Sequence, residues 1–218
     1  MNQTIRKRRT LKVLADPSTP WPPPGGDFDG LLLELLDLAA CAPFHYPCDP
    51  SHQLQQLDAP APWRCYALNG ANARELLKRI STLDAPPGKI AGMLAAAHGL
   101  VLVTWLPDPP PSGVSGGFQS FEPTLRNMEH IAATAAAIQN LLLAATDSGL
   151  HTFWSSGGVL RSQPVFDWLG IPDTQVLLGA VFLFPQDTHT ADTKPGANRN
   201  QQGERDRWMK WIGFESLP

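Results

Sequence analysis

Apolar residues recur along this chain with two different periods, and the switches between them outline a mixed fold. Asp29 is a candidate N-cap, and GLLLELLDLAACA then places Leu32, Leu35, Leu36 and Ala39 on one face, predicting a helix over 30–42 that stops before Pro43. WRCYAL alternates bulky apolar side chains as a strand does, and ANARELLKRIS returns to the helical period. GLVLVTWL is a continuous β-rich apolar run, the kind a central strand needs when both of its faces are covered. The longest periodic segment, from about 123 to 148, puts Ile131, Ala135, Ile138, Leu142 and Ala145 on one stripe with Gly149 at the C-terminal cap. That is a helix of about seven turns, and its small residues allow a second helix to approach closely, as a core spine or a dimer contact. LHTFW and QVLLGAVFLF read as two further strands, with a short helix in the stretch between them. The order of elements predicts one α+β domain over 1–218, built around one sheet.

Proline and polar segments divide these elements. Residues 16–27 (DPSTPWPPPGGD) form a Pro/Gly linker that cannot be helical, because each proline lacks an amide donor and crowds the preceding turn. Residues 44–61 are a polar, proline-studded loop, and PDPPPSGVSGG after the apolar strand is long enough to serve as a lid or a crossing segment. Residues 186–218 form a tail whose first part is too poor in hydrophobes to bury itself. It closes with RWMKWIGF, whose two tryptophans and phenylalanine are suited to docking on the body or on a partner.

A length of 218 residues suits one sizeable core, and a pI near 6.0 with 17% charged residues argues against nucleic-acid binding. The positive charge is local: five of the ten residues of IRKRRTLKVL are basic, in a chain of formal net charge -3. A small anion is the natural target. Cys41, Cys48 and Cys65 form no C-x-x-C pair and have no histidine at metal-ligand spacing. With no signal peptide and no apolar run of membrane-spanning length, a reducing cytoplasm is expected. Ser-His-Asp order, paired carboxylates and a P-loop are all missing from the sequence.

Four stretches, in order, resemble the nitroreductase family of FMN-dependent homodimeric oxidoreductases, in particular its short YdjA-like branch. KRRTLK resembles the family's N-terminal R-R-S-x-R/K word. LLDLAACAPFH, with Pro62-Trp63 opening a strand, is similar to the family's helix ending in A-P and its later Q-P-W. AAIQNLLLAATDSGLHTFWSSGGV resembles the long central helix running into G-x-x-x-x-W-x-S-G. LGIPDTQVLLGAVFLFP is similar to the family's L-G-I-P strand. The resemblance implies a three-layer sandwich with a central, mainly antiparallel sheet flanked by helices.

It also implies a site. Arg8 and Arg9 would meet the FMN phosphate with paired, charge-assisted hydrogen bonds, and the Thr10 hydroxyl would stand in for the usual serine. Lys12 would reach the pyrimidine edge, where a cation stabilises the charge that arrives with the electrons. His45, after A-P, would contact the ribityl chain or ring edge. Trp154, Ser155, Ser156 and Gly157 would lie along the flavin N5 side, the glycine letting the main chain come close. Of the late basic residues Lys194 and Arg199, Arg199 is the candidate for the phosphate. The chain departs from the family pattern in two places: Ala61 stands where glutamine precedes Pro-Trp, and Ser155 where an arginine follows the tryptophan. Gln53, Gln55 or Gln56 could replace the lost contact from the inserted loop.

Transferred to this chain, the family scheme is a ping-pong cycle in which NAD(P)H reduces the flavin and a nitroaromatic, quinone or similar acceptor reoxidises it. The cofactor would lie at the interface of a homodimer, and no nucleic acid, membrane or metal is implied. Two other readings stay open: a non-catalytic dimer that binds or stores flavin, and a degenerate member kept for partner binding.

Overall fold

A computed structural model describes residues 2–53, 56–110, 117–188, 191–198 and 201–212 of the chain. In chain order its main elements are α1 (Asn2–Lys7), β1 (Leu11–Leu14), α2 (Phe28–Ala40), β2 (Trp63–Asn69), α3 (Gly70–Ile80), α4 (Lys89–Ala96), β3 (Gly99–Trp105), α5 (Leu125–Asp147), β4 (His151–Ser155), α6 (Gln163–Leu169), β5 (Val176–Phe184) and β6 (Asp192–Pro195). Strands β2, β3, β5 and β4 make the central sheet in that order, and every neighbouring pair is antiparallel. β3 is buried along its whole length, as a strand covered on both faces must be.

Helices cover both faces. α2 and α5 pack on one, closing Leu32, Leu35, Ile138 and Leu141 over Val101, Val103 and Val181. α3, α4 and α6 pack on the other, where Leu76, Leu94 and Phe166 meet Leu100, Leu102 and Phe182. Alternate residues of β3 and β5 thus enter separate cores, and the expected three-layer α+β sandwich with an antiparallel sheet is what the chain adopts.

Local signals account for most of the helix ends, with some shifts. Asp27, not Asp29, caps α2: its carboxylate accepts the Gly30 amide at 2.9 Å. Thr124 caps α5 by accepting the Asn127 amide at 3.1 Å, and Gly149 with φ +81° ends it. The buried stripe of α5 is rotated from the expected one. His130, Thr134, Ala137, Leu141 and Ala145 lie inward, while Ile131 and Ala135 are only half-buried. The two polar members are tolerated because the His130 ring meets the Leu106 carbonyl at 2.9 Å and the Thr134 hydroxyl donates to the His130 carbonyl at 2.8 Å.

Two features correct the picture of a single sheet and a solvated tail. β1 and β6 form a second, two-stranded antiparallel sheet in which Lys12 faces Lys194, so the polar tail folds back along the N-terminal arm, with Ala191 packed against the core. α4 is an additional helix, apolar and small, whose residues Ile90 to Ala96 are all buried. At the other end, Trp208 and Trp211 remain 66% and 85% exposed, so these tryptophans do not dock on their own chain. No helix among the described residues is long and apolar enough to cross a membrane, and no His, Cys, Asp or Glu cluster among them could hold a metal ion.

Candidate functional site

The basic arm ends its short helix at Lys7 and enters β1 four residues later, at Leu11. Arg8, Arg9, Thr10 and Leu11 line a cleft of about 890 Å³ whose other walls are His151, Phe153 and Trp154 of β4 and the segment from Pro195 to Asn198, with Gln202. A second cleft of about 600 Å³ adjoins it across β4, with Phe153 and Trp154 lining both. Its walls are Lys12, the Pro86-Pro87-Gly88-Lys89 turn, Ile90, Met93, and the Ser155, Ser156, Gly158 and Val159 stretch that follows β4. Both volumes fall in the range of about 300–1,000 Å³ usual for small-molecule sites. None of the described residues lining either cleft is an aspartate or a glutamate, and Arg8, Arg9, Lys12 and Lys89 are cations.

The fold brings these groups together through two close approaches. Ala15, just past β1, donates its amide to the Gly92 carbonyl of α4 at 3.1 Å. A Cβ at Gly92 would meet the Ala15 carbonyl at 3.2 Å, so glycine lets the strand carrying Lys12 run against the helix that carries Lys89. The second is the Trp154 indole, which lies over Gly179: a Cβ there would meet its Nε1 at 1.9 Å. Lys12 stands 4.6 Å from the centroid of the Phe153 ring. Its pKa is lowered by burial first, then by repulsion from Lys89 and Lys194.

The arginines are partly engaged by their own arm. Arg8 donates to the Thr10 hydroxyl at 3.2 Å. Arg9 turns one guanidinium nitrogen back over the end of α1, onto the carbonyls of Arg6, Lys7 (3.3 Å) and Arg8 (3.1 Å). That caps a helix C-terminus and fixes the arginine at the cleft edge.

The turn after β4 is organised from within. The Ser155 hydroxyl accepts the Gly157 amide at 3.2 Å, and Gly157 and Gly158 adopt φ +111° and +55°. Such angles require glycine, and a Cβ at Gly157 would also strike Leu177 at 2.8 Å. Arg161 donates its Nε to the Ser156 carbonyl and a second nitrogen to Gln119 Oε1 at 3.2 Å. Gln119 is itself anchored to Leu177 and Gln175, so the loop after β3 and the turn after β4 share one hydrogen-bonded clasp.

Of the residues expected from the sequence, Arg8, Arg9, Thr10, Lys12, Trp154, Ser155 and Ser156 line the two adjoining clefts, and Gly157 shapes the turn after β4. His45 lies elsewhere. It meets Glu129 of α5 at 2.9 Å and lines a smaller apolar groove with Pro43, Phe44, Ala132, Ala133 and Ala136. Arg199 and Gln55 fall outside the described residues. The sequence reading missed Lys89 and Arg161. Pro-Pro-Gly before Lys89 is a helix-start signal that was available, whereas nothing in the sequence marks Arg161, which gains its place from the turn. No thiol lines either cleft: burial pushes Cys65 up to about 12, Cys48 is buried, and the exposed Cys41 lies at the end of α2.

Comparison with known proteins agrees with this architecture. The model of the nitroreductase family matches residues 29–183, which contain β2 to β5 and the helices between them but not the basic arm. The fold is similar to a nitroreductase-like protein from Bacillus cereus, at 22% identity, TM-score 0.63, and 97% and 95% coverage of the two chains. It is similar to a nitroreductase with bound FMN from Bacteroides fragilis, at 18% identity, TM-score 0.55, and 97% and 98% coverage. An FMN- and NADPH-dependent nitroreductase from Sphigopyxis aligns at 14% identity, TM-score 0.61, and 98% and 99% coverage. No curated protein matches the chain by sequence.

Proposed function

The chain belongs to the nitroreductase family, and we propose that it is an FMN-dependent oxidoreductase that accepts reducing equivalents from NAD(P)H and passes them to a nitroaromatic, quinone or similar acceptor. The observation that carries this reading is the pair of adjoining clefts in which no described lining residue is acidic and Arg8, Arg9, Lys12 and Lys89 supply the charge, in a chain of net negative charge. Such a lining suits a ligand with a dianionic tail and a ring that gains negative charge on reduction. FMN supplies hydride chemistry when bound.

The chain's own residues hold and tune. Arg8, Arg9 and the Thr10 hydroxyl would take the phosphate end, with Arg9 pre-set by its cap on α1. Lys12 would lie at the pyrimidine end, where its half-buried charge favours the reduced state. The Ser155 to Gly158 turn would present main chain to the ring, held by Arg161 and the Ser155 hydroxyl. Trp154 and Phe153 would exclude water between the two ends.

A homodimer is part of the proposal. Two observations support it: His45 lies on a different groove from the cationic cleft, as a residue would that serves the site of a second copy, and the Trp208 and Trp211 side chains are exposed. The three free thiols accord with a reducing cytoplasm.

Anaerobic mixing of the FMN-loaded protein with NADH and with NADPH tests the reading. Bleaching of the visible flavin band by at least one of them, and return of colour on adding a nitroaromatic or quinone, is the expected outcome. A yellow protein that neither donor bleaches would be a flavin-binding dimer and not a reductase of this kind.

A further inference from the structure

The second cleft carries more positive charge than a flavin ring needs. Lys12 and Lys89 both line it, whereas Lys194, opposite Lys12 across the β1–β6 pair, lies outside the lining and is ion-paired with Asp192 at 3.0 Å. The chain as a whole has 20 acidic and 17 basic residues, so a lining with no carboxylate among its described residues does not follow from composition. Lys12 and Lys89 arrive on different elements and are kept near each other by the Ala15 to Gly92 hydrogen bond, against their mutual repulsion. In the reading above, Arg8 and Arg9 answer the phosphate, and Lys12 answers the one charge that arrives on the ring. Lys89 is left over. It is exposed at the rim, while half-buried Pro87, Phe153 and Val159, backed by the buried Ile90 and Met93, make the cleft wall below it apolar. A greasy wall with a single cation at its edge suits a flat apolar molecule with an anionic group at one end.

We infer, resting on the oxidoreductase reading, that the electron acceptor is an aromatic compound bearing a carboxylate or similar anionic group, and that Lys89 recognises that charge. Because Lys89 is exposed, it discriminates between acceptors without tight binding, and salt weakens the discrimination. The pyrophosphate of the nicotinamide donor is the other anion that could reach this rim, and the test separates the two.

The test uses the FMN-loaded protein and a matched pair of probes, benzoate and benzamide, which share size and ring but differ in charge. Calorimetric titration should give benzoate the tighter binding by about tenfold at low salt. Lys89→Gln should remove most of that ratio and Lys89→Glu should invert it. The ratio of kcat/KM for 4-nitrobenzoate over 4-nitrobenzamide should follow the same order. Lys78→Glu, on the outside of α3 beside Glu75, should leave both ratios unchanged.

Equal binding of the two probes by the unaltered protein would overturn the inference, as would a ratio that Lys89→Glu does not move. An equal drop with Lys78→Glu would mean a diffuse field and would also overturn it. If Lys89→Gln instead weakens only the binding of NADH or NADPH, the anion recognised is the donor's. A yellow protein indifferent to probe charge sinks this inference alone, whereas a protein that takes up no FMN sinks the oxidoreductase reading and this inference together.

Discussion

Arg64 and Lys12 are both cations held among neutral or positive neighbours, and their surroundings explain why one is structural and the other chemical. Arg64 is 4% exposed, and its guanidinium donates to the carbonyls of His52, Ala59, Ala61 and Trp63 at 2.7–3.2 Å. Those carbonyls belong to the inserted loop and the start of β2, so the arginine staples His52, Ala59 and Ala61 of the loop to the sheet. Its terminal donors are consumed by main chain and face no cleft. Lys12 is half-buried, rests against an aromatic ring, and shares the edge of a cleft with Lys89, while Lys194 opposite it in β6 is paired with Asp192. A buried cation is stable when carbonyls replace its water; one pressed against like charges on an open cleft is a site prepared for an anion.

Removing each cation sharpens the contrast. Arg64→Met leaves several buried carbonyls unpaired and should cost about 3–5 kcal/mol, lowering Tm by roughly 10 °C in a domain of this size. Thermal unfolding followed by circular dichroism would measure it, and the folded fraction should still take up FMN. A fall in FMN uptake with no change in Tm would reverse the roles assigned to the two residues.

Lys12→Met should do the opposite, weakening FMN by about tenfold with little change in Tm. The pH dependence carries a sign. Because the Lys12 pKa is lowered in the folded chain, its charge is lost as pH rises through a value below the ordinary 10.5. FMN affinity should therefore begin to fall at lower pH than for a normal lysine. In the ligand-free protein the folded state binds fewer protons than the unfolded one between the lowered value and 10.5, so stability should rise across that window. Lys12→Met should flatten both trends, and fluorescence titrations of FMN across alkaline pH would show it.

How legible all this was in the sequence depends on what each element shows to a period. β3 and the faces of α2 were plain because their apolar residues repeat at the spacing of the structure. α4 was invisible because KIAGMLAA has no polar face: buried all round and only 8 residues long, it has no amphipathic period to detect. β6 reads DTKP, with no apolar residue, and owes its order to the backbone of β1. Ile138, Leu142 and Ala145 of the expected α5 stripe are buried, but at its N-terminal half the polar His130 and Thr134 turn inward in place of Ile131 and Ala135, each held by an internal hydrogen bond. The sequence points to Asp29 as the N-cap of α2, and the contact of Asp27 with the Gly30 amide moves the cap two residues earlier.

The site divides the same way. Arg8 to Lys12 and Trp154 to Gly157 came from family resemblance, and the fold gathers them around two adjoining clefts. Lys89 was missed because its helix was missed, and Arg161 because a hydrogen bond across a glycine turn leaves no trace in spacing. His45 resembles its family counterpart in sequence, yet it pairs with Glu129 on the opposite layer, where a single chain offers it no part in the cationic cleft.

The central claim is that the arm from Arg8 to Lys12 grips the phosphate end of FMN. The most direct measurement is the visible spectrum of the purified protein, compared with that of the Arg8→Ala, Arg9→Ala double variant after both are incubated with FMN and desalted. The account predicts a yellow parent and a colourless variant that remains folded with an unchanged Tm. A double variant as yellow as its parent would contradict it.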